Sequence, residues 1–118
     1  MEIEHSAAAI IPCNNLDETQ HFFESLGFQA TSIYPHNGYR ILHDSRGASL
    51  HLTHTQPGWV LPKRNAHGVY LYSSEVVSLA KKHGVVADVK PWGLTEFSVS
   101  DPNGLLVRVG WPTESLPT

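Results

Sequence analysis

Residues 6–13 (SAAAIIPC) form an apolar run of strand length. It ends at Asn14-Asn15-Leu16-Asp17-Glu18, where Asn15 can cap a helix and Glu18, three residues on, completes a capping box. Leu16, Phe22, Phe23 and Leu26 fall on one face of that helix, and Gly27 stands where a left-handed residue would close it. Phe28 to Tyr34 reads as a strand, and His36-Asn37-Gly38 carries an Asn-Gly hairpin signal. Tyr39 to His43 is the return strand, and Ala48 to His54 follows the turn Asp44-Ser45-Arg46-Gly47.

Residues 55–65 (TQPGWVLPKRN), with two prolines and a glycine, cannot continue a sheet and read as a long connection or lid. Beyond them the alternation predicts a strand over Val69 to Ser73, a helix over Ser74 to His83 closed by Gly84, and a strand over Val85 to Val89. Glu96-Phe97-Ser98-Val99-Ser100 is another strand, and the turn Asp101-Pro102-Asn103-Gly104 leads into the last, Leu105 to Gly110. The order is βαβββ followed by βαβββ. At an offset of 101 − 44 = 57 the two Asp-x-x-Gly turns coincide, and so do Gly27 with Gly84 and Phe28 with Val85. The chain therefore reads as a duplication of one small unit, with module one over about 5–54, a linker over 55–65, module two over about 66–110 and an arm over 111–118. Together they are expected to make one domain spanning 1–118.

The 118 residues are 41% hydrophobic and 16% charged, with no apolar run long enough to cross a bilayer, so no membrane partner is expected. Two acids near the start, where a signal peptide would carry bases, make a cytoplasmic location the expectation. A formal charge of −3 without a basic cluster argues against nucleic acid. The single Cys13 lies in an apolar run and reads as a buried small hydrophobe, not a nucleophile. His5, His21, His36, His54 and His83 are scattered without convergent spacing, and His51-x-x-His54 on a strand points to opposite faces.

The first motif, Leu16-Asp17 with Phe22-Phe23 and Leu26-Gly27-Phe28, and the second, Trp92-Gly93 with Glu96-Phe97 and Asp101-Pro102-Asn103-Gly104, resemble the vicinal oxygen chelate superfamily. That superfamily holds glyoxalase I, extradiol dioxygenases, fosfomycin resistance enzymes and bleomycin resistance proteins, and the second motif is most similar to the last of these. The resemblance implies an α+β fold of two tandem βαβββ modules whose concave mixed sheets form a cavity. In metal-dependent members four inward side chains hold a divalent ion, and those positions map here to Ala8, His51, Gly68 and Arg108. Gly68 is preferred to His67 by alternation, since a slip of one would turn Tyr70 and Tyr72 into the core. One imidazole beside a guanidinium does not make a metal site, so neither metal nor cofactor is expected.

Alternation carries the inward face from His51 and Arg108 through Ser49, Thr53, Tyr39, Ile41, His43, Tyr70, Tyr72, Glu96 and Ser98, a polar and aromatic surface suited to a planar or conjugated ligand. The candidate ligand-binding residues are Tyr39, His51, Trp59, Tyr70, Tyr72, Trp92, Glu96 and Arg108. Tyr70 and Tyr72 suit a dimer rim as well as a ligand, and Trp92 suits wedging a hairpin as well as stacking. Trp59 is either a lid aromatic or merely exposed, and Glu96 and Arg108 can pair across the sheet.

The function implied is non-catalytic binding and sequestration of an antibiotic-like small molecule, planar or cationic, as in bleomycin resistance proteins. The alternative is a metal-dependent, glyoxalase-like lyase, isomerase or transferase. The resemblance also implies a homodimer in which the first strand, Ser6 to Cys13, crosses to the partner and each crevice takes one module from each subunit. An unswapped strand in its own module is the other arrangement.

Overall fold

The structure, a computed structural model, describes residues 4–117. The chain divides into two compact units, the first ending at Val60 and the second starting at Leu61. In the first, β1 (Ala9–Cys13), α1 (Leu16–Glu24), β2 (Gln29–Tyr34), β3 (Tyr39–His43) and β4 (Ser49–His54) form a sheet of order β1-β4-β3-β2 with one helix. In the second, β5 (Gly68–Tyr72), α2 (Val76–Lys82), β6 (Asp88–Val89), β7 (Leu94–Ser100) and β8 (Leu106–Pro112) give the order β5-β8-β7-β6. Each outer pair, β1 with β4 and β5 with β8, is parallel and the rest antiparallel. The fold is the expected α+β pair of βαβββ modules.

Local chemistry explains most boundaries. The Asn15 side chain accepts from Glu18 N at 3.0 Å and caps α1. Behind the cap, Phe23 is fully buried and meets Phe22 and Phe28 edge-on at 5.1 and 6.0 Å. Leu42, Leu50 and Leu52 on one sheet and Phe97, Val107 and Val109 on the other complete the apolar faces. Thr19 is also fully buried on α1, which the apolar pattern misses, because its hydroxyl donates to Asn15 O within the helix at 3.1 Å.

The repeat at offset 57 holds at the level of single hydrogen bonds. Asp44 Oδ1 accepts from Arg46 N and Ala48 N, and Asp101 Oδ1 accepts from Asn103 N and Leu105 N. Past the helices, Leu26, Gly27 and Phe28 donate to Phe23, Glu24 and Phe23 carbonyls, and His83, Gly84 and Val85 donate to those of Ala80, Lys81 and Ala80.

Several expectations need correction. β2 and β3 form the hairpin expected at His36-Asn37-Gly38, but its turn is a 3-10 turn, Pro35–Asn37, closed by Gly38 at φ 57°, not a two-residue Asn-Gly turn. Pro35 fixes φ at the helical value and Asn37 never enters the left-handed region. Helix α2 starts at Val76, two residues late, since Ser73 Oγ accepts from Glu75 N and holds that segment as a turn. The strand expected over Val85 to Val89 shrinks to β6, because the Val85 amide is spent on Ala80 O and only Asp88 and Val89 pair with β7. In return β7 begins at Leu94, and β8 runs past Gly110 to meet it at Pro112.

β1 pairs in register with β4, Ala9 with Leu50 through Cys13 with His54. This strand carries Pro12 in its interior, and β2 is interrupted by a bulge between Ala30 and Ser32. The connection over 55–65 is anchored at both ends. Asn14 Nδ2 donates to Val60 O at 3.1 Å in the first unit, and Asn65 Nδ2 donates to Asn103 O at 3.1 Å in the second. Pro62 lies directly over Gly104, and a Cβ placed on that glycine would stand 2.0 Å from the Pro62 carbonyl oxygen.

Candidate functional site

In the first unit, the Tyr39 hydroxyl and His51 Nδ1 are 2.6 Å apart and their rings meet at 87° with centroids 5.4 Å apart. The contact is diagonal, since His51 pairs with Ile41 and Tyr39 with Thr53. Directly beside His51 on β1 stands Ile10, which is 61% exposed. Trp59 is 77% exposed in a turn closed by its own amide on Gln56 O, and no hydrogen bond or ring contact joins it to Tyr39 or His51.

The second unit gathers Tyr70, Tyr72, Trp92, Glu96 and Arg108. Alternation sets Glu96 on the polar face of β7, yet the residue is only 3% exposed. Trp92 Nε1–H donates to Glu96 Oε1 at 2.8 Å, and the Tyr70 hydroxyl donates to the same oxygen at 3.4 Å. Arg108 Nε lies 3.9 Å from Oε2, an ion pair without a hydrogen bond, with the guanidinium side chain half exposed. Tyr72 tilts against Tyr70 at 48° with centroids 4.9 Å apart and remains 61% exposed. Trp92 is 60% exposed while its indole N–H is fixed on Glu96. The Glu96–Arg108 pair forms loosely, and the carboxylate is held chiefly by the two aromatic donors.

Burial, followed by the charge of Glu96 and the hydrogen bond to it, pushes the Tyr70 phenol up to about 12 from an ordinary 10, against the opposing pull of Arg108. The phenol therefore stays protonated and donating throughout the physiological range. Because the folded value is the raised one, its contribution to stability is complete below pH 10 and is lost as pH rises from 10 through 12. Tyr70→Phe is expected to flatten the fall in stability over that window, measured by urea denaturation at stepped pH. An unchanged slope would show that the phenol is not the group responsible.

A cavity of about 290 Å³ opens beside this cluster. Val85, Val86 and Phe97 give it an apolar side, and Asp88, Lys90, Trp92, Glu96, Ser98 and Arg108 a polar one. Asp88 and Lys90 were not among the candidates, because Val85 to Val89 read as a regular strand and not as a cavity wall. Gly110 was missed as well. A Cβ there would stand 1.9 Å from the Tyr70 hydroxyl, so only glycine leaves the phenol its seat above β8.

The positions that the sequence resemblance maps to metal ligands are Ala8 and His51 in the first unit and Gly68 and Arg108 in the second. Ala8 and Gly68 have no donor atoms, Arg108 has no acceptor, and His51 Nδ1 is engaged by Tyr39. His67 lies exposed just ahead of β5, where Gly68 pairs with Leu106. Among the described residues no three His, Cys, Asp or Glu side chains come together. Neither unit's pair of mapped residues supplies the donors a divalent ion needs.

Two βαβββ modules, each with its parallel outer pair and its helix, define the glyoxalase/bleomycin resistance fold. Solved structures share it over nearly their whole length. A bleomycin-binding protein complexed with bleomycin is 20% identical with a TM-score of 0.76, covering 92% of this chain and 98% of its own. A bleomycin resistance determinant encoded on the transposon Tn5 gives 20% and 0.77 over the same shares. An antibiotic-binding protein from Streptomyces sp. CB03234 gives 22% and 0.71, over 95% of this chain and 98% of its own. No family model matches the chain, and no curated protein matches it in sequence.

Proposed function

We propose that the protein binds and sequesters a planar, antibiotic-like small molecule at the Trp92–Glu96–Arg108 face of module two without transforming it. The carrying observation is the buried carboxylate of Glu96, held by Trp92 and Tyr70 at the wall of a cavity, with the faces of Trp92 and Tyr72 largely open. Exposed aromatic rings offer stacking area at low entropic cost, and fixed polar groups beside them orient what stacks. Proteins of the same fold are described as binding bleomycin and other antibiotics. The mismatch of the four mapped positions with metal chemistry supports binding over a glyoxalase-like reaction.

A thermal-shift screen over bleomycin-type glycopeptides and aromatic antibiotics tests this reading. A ligand at a hundred times its Kd stabilises by about 2.7 kcal/mol, which raises Tm by roughly 10 °C for a chain of this size. The compound recovered after incubation is expected to be unchanged in mass. Stoichiometric Zn, Ni, Mn or Fe in protein purified without chelator, or turnover of the bound compound, would sink the non-catalytic reading.

The working unit is proposed to be a homodimer. Exposed Ile10, Ile33 and Val89 are apolar surface of the kind that association covers. Light scattering at micromolar concentration should return twice the mass of one chain, and a monomeric mass would remove this part of the proposal.

A further inference from the structure

We infer that Glu96 Oε2 and the Arg108 guanidinium together form one recognition edge for a carboxamide of the ligand, taking its N–H on the carboxylate and its C=O on the guanidinium while the attached ring lies against Trp92. The inference rests on the reading of the module-two cavity as the ligand site and names the chemistry that site selects.

The two oxygens of Glu96 are unequal. Oε1 accepts from both Trp92 and Tyr70. Oε2 accepts no hydrogen bond among the described residues, and Arg108 Nε, at 3.9 Å, is too far to donate one. No buried side-chain oxygen or nitrogen among the described residues lacks a partner, so an oxygen that has none is not sealed in. It opens on the cavity that Glu96 lines. A carboxylate oxygen in a residue only 3% exposed, with spare acceptor capacity toward a cavity, calls for a donor from the occupant.

Arg108 is the complement. Its guanidinium lines the same cavity, and among the described residues it makes the 3.9 Å contact with Glu96 and no hydrogen bond. Its donors are therefore available to an acceptor on the occupant. A cationic group would gain Glu96 but face Arg108 at close range, and an anionic group would meet the reverse. The other charged residues in the wall, Asp88 and Lys90, also cancel. A neutral group carrying a donor and an acceptor side by side satisfies both partners without desolvating a net charge, and a carboxamide is the compact form of that pattern.

Three probes with one ring separate the possibilities: benzamide, benzoate and benzylammonium, titrated into isotope-labelled wild-type protein while the Trp92 indole N–H and Arg108 Nε–H resonances are followed. Trp92→Phe identifies the indole signal. Benzamide is expected to shift both resonances saturably, with a Kd about fivefold lower than either charged analogue, the ratio that one net hydrogen bond supplies. Arg108→Met should abolish that preference while the Trp92 resonance still responds to all three probes. Tighter binding of benzylammonium or benzoate, or equal binding of the three, overturns the amide edge and leaves the ligand site standing. No response from Trp92 to any probe overturns the edge, and if no antibiotic in the thermal screen stabilises the protein either, the ligand site falls with it.

Discussion

Replacing Gly104 with alanine is expected to lower stability by about 3 kcal/mol, roughly 10 °C in Tm. Two penalties coincide there. Gly104 has φ 77°, a conformation that costs a side-chain-bearing residue, and the new Cβ would lie 2.0 Å from the Pro62 carbonyl oxygen and 2.7 Å from its carbon. Those are backbone atoms of an anchored segment and cannot rotate aside. The counterpart in module one separates the two terms. Gly47 has φ 112° but nothing within 4 Å of its Cβ position, so Gly47→Ala carries the backbone penalty alone, about 1 kcal/mol. Urea denaturation of the two variants side by side is the measurement. Equal losses would show that Pro62 does not press on the turn.

Gly110→Ala should leave the fold in place and dismantle the cluster. The backbone there is ordinary strand, so alanine meets no conformational barrier. Its Cβ would occupy the position of the Tyr70 hydroxyl, 1.9 Å away, and would press on Glu96 Cβ at 3.1 Å. The phenol must swing out and surrender its bond to Glu96 Oε1. Tyr70 should then titrate well below 12, toward the ordinary value of about 10, in an ultraviolet tyrosinate titration. Affinity for any ligand found by thermal shift should fall about tenfold with the loss of an ordered aromatic wall. A tyrosinate curve unchanged from wild type would mean that Tyr70 does not rest on Gly110.

What was legible in the sequence was local. The Asn15 cap, the closing Gly27 and Gly84 and the paired Asp-x-x-Gly turns depend on bonds spanning two to five residues, which spacing alone displays. The buried faces were legible too, since alternation fixes the side on which a residue lies. Depth on that side was not. Glu96 falls on the polar face but is nearly sealed, because Tyr70, distant in sequence, and Trp92, across the turn into β7, fold over it. The seat at Gly110 escaped for the same reason, as a glycine ending an apolar strand shows no sign of the phenol it accommodates. The Pro-rich connection read only as a long connection or lid because nothing in its own residues announces the contacts of Pro62 and Asn65 with the Asp101–Gly104 turn.

The outer strands bear on how the protein behaves when concentrated. A four-stranded open sheet ends in two rows of unspent backbone groups, each a template on which another chain could grow. Three of the four rows here are interrupted by their own residues: β1 by Pro12, β2 by its bulge at Thr31, and β6 by ending after two residues. The fourth, β5, runs five residues from Gly68 to Tyr72 with neither proline, bulge nor charge. Fibrillar or gel-forming tendencies, if stress or mutation provokes them, would thus start from that strand, and a lysine at Leu71 would be the wrong remedy, since that side chain is buried. Tyr72, already 61% exposed, is where a charge could guard the edge with least damage to the core.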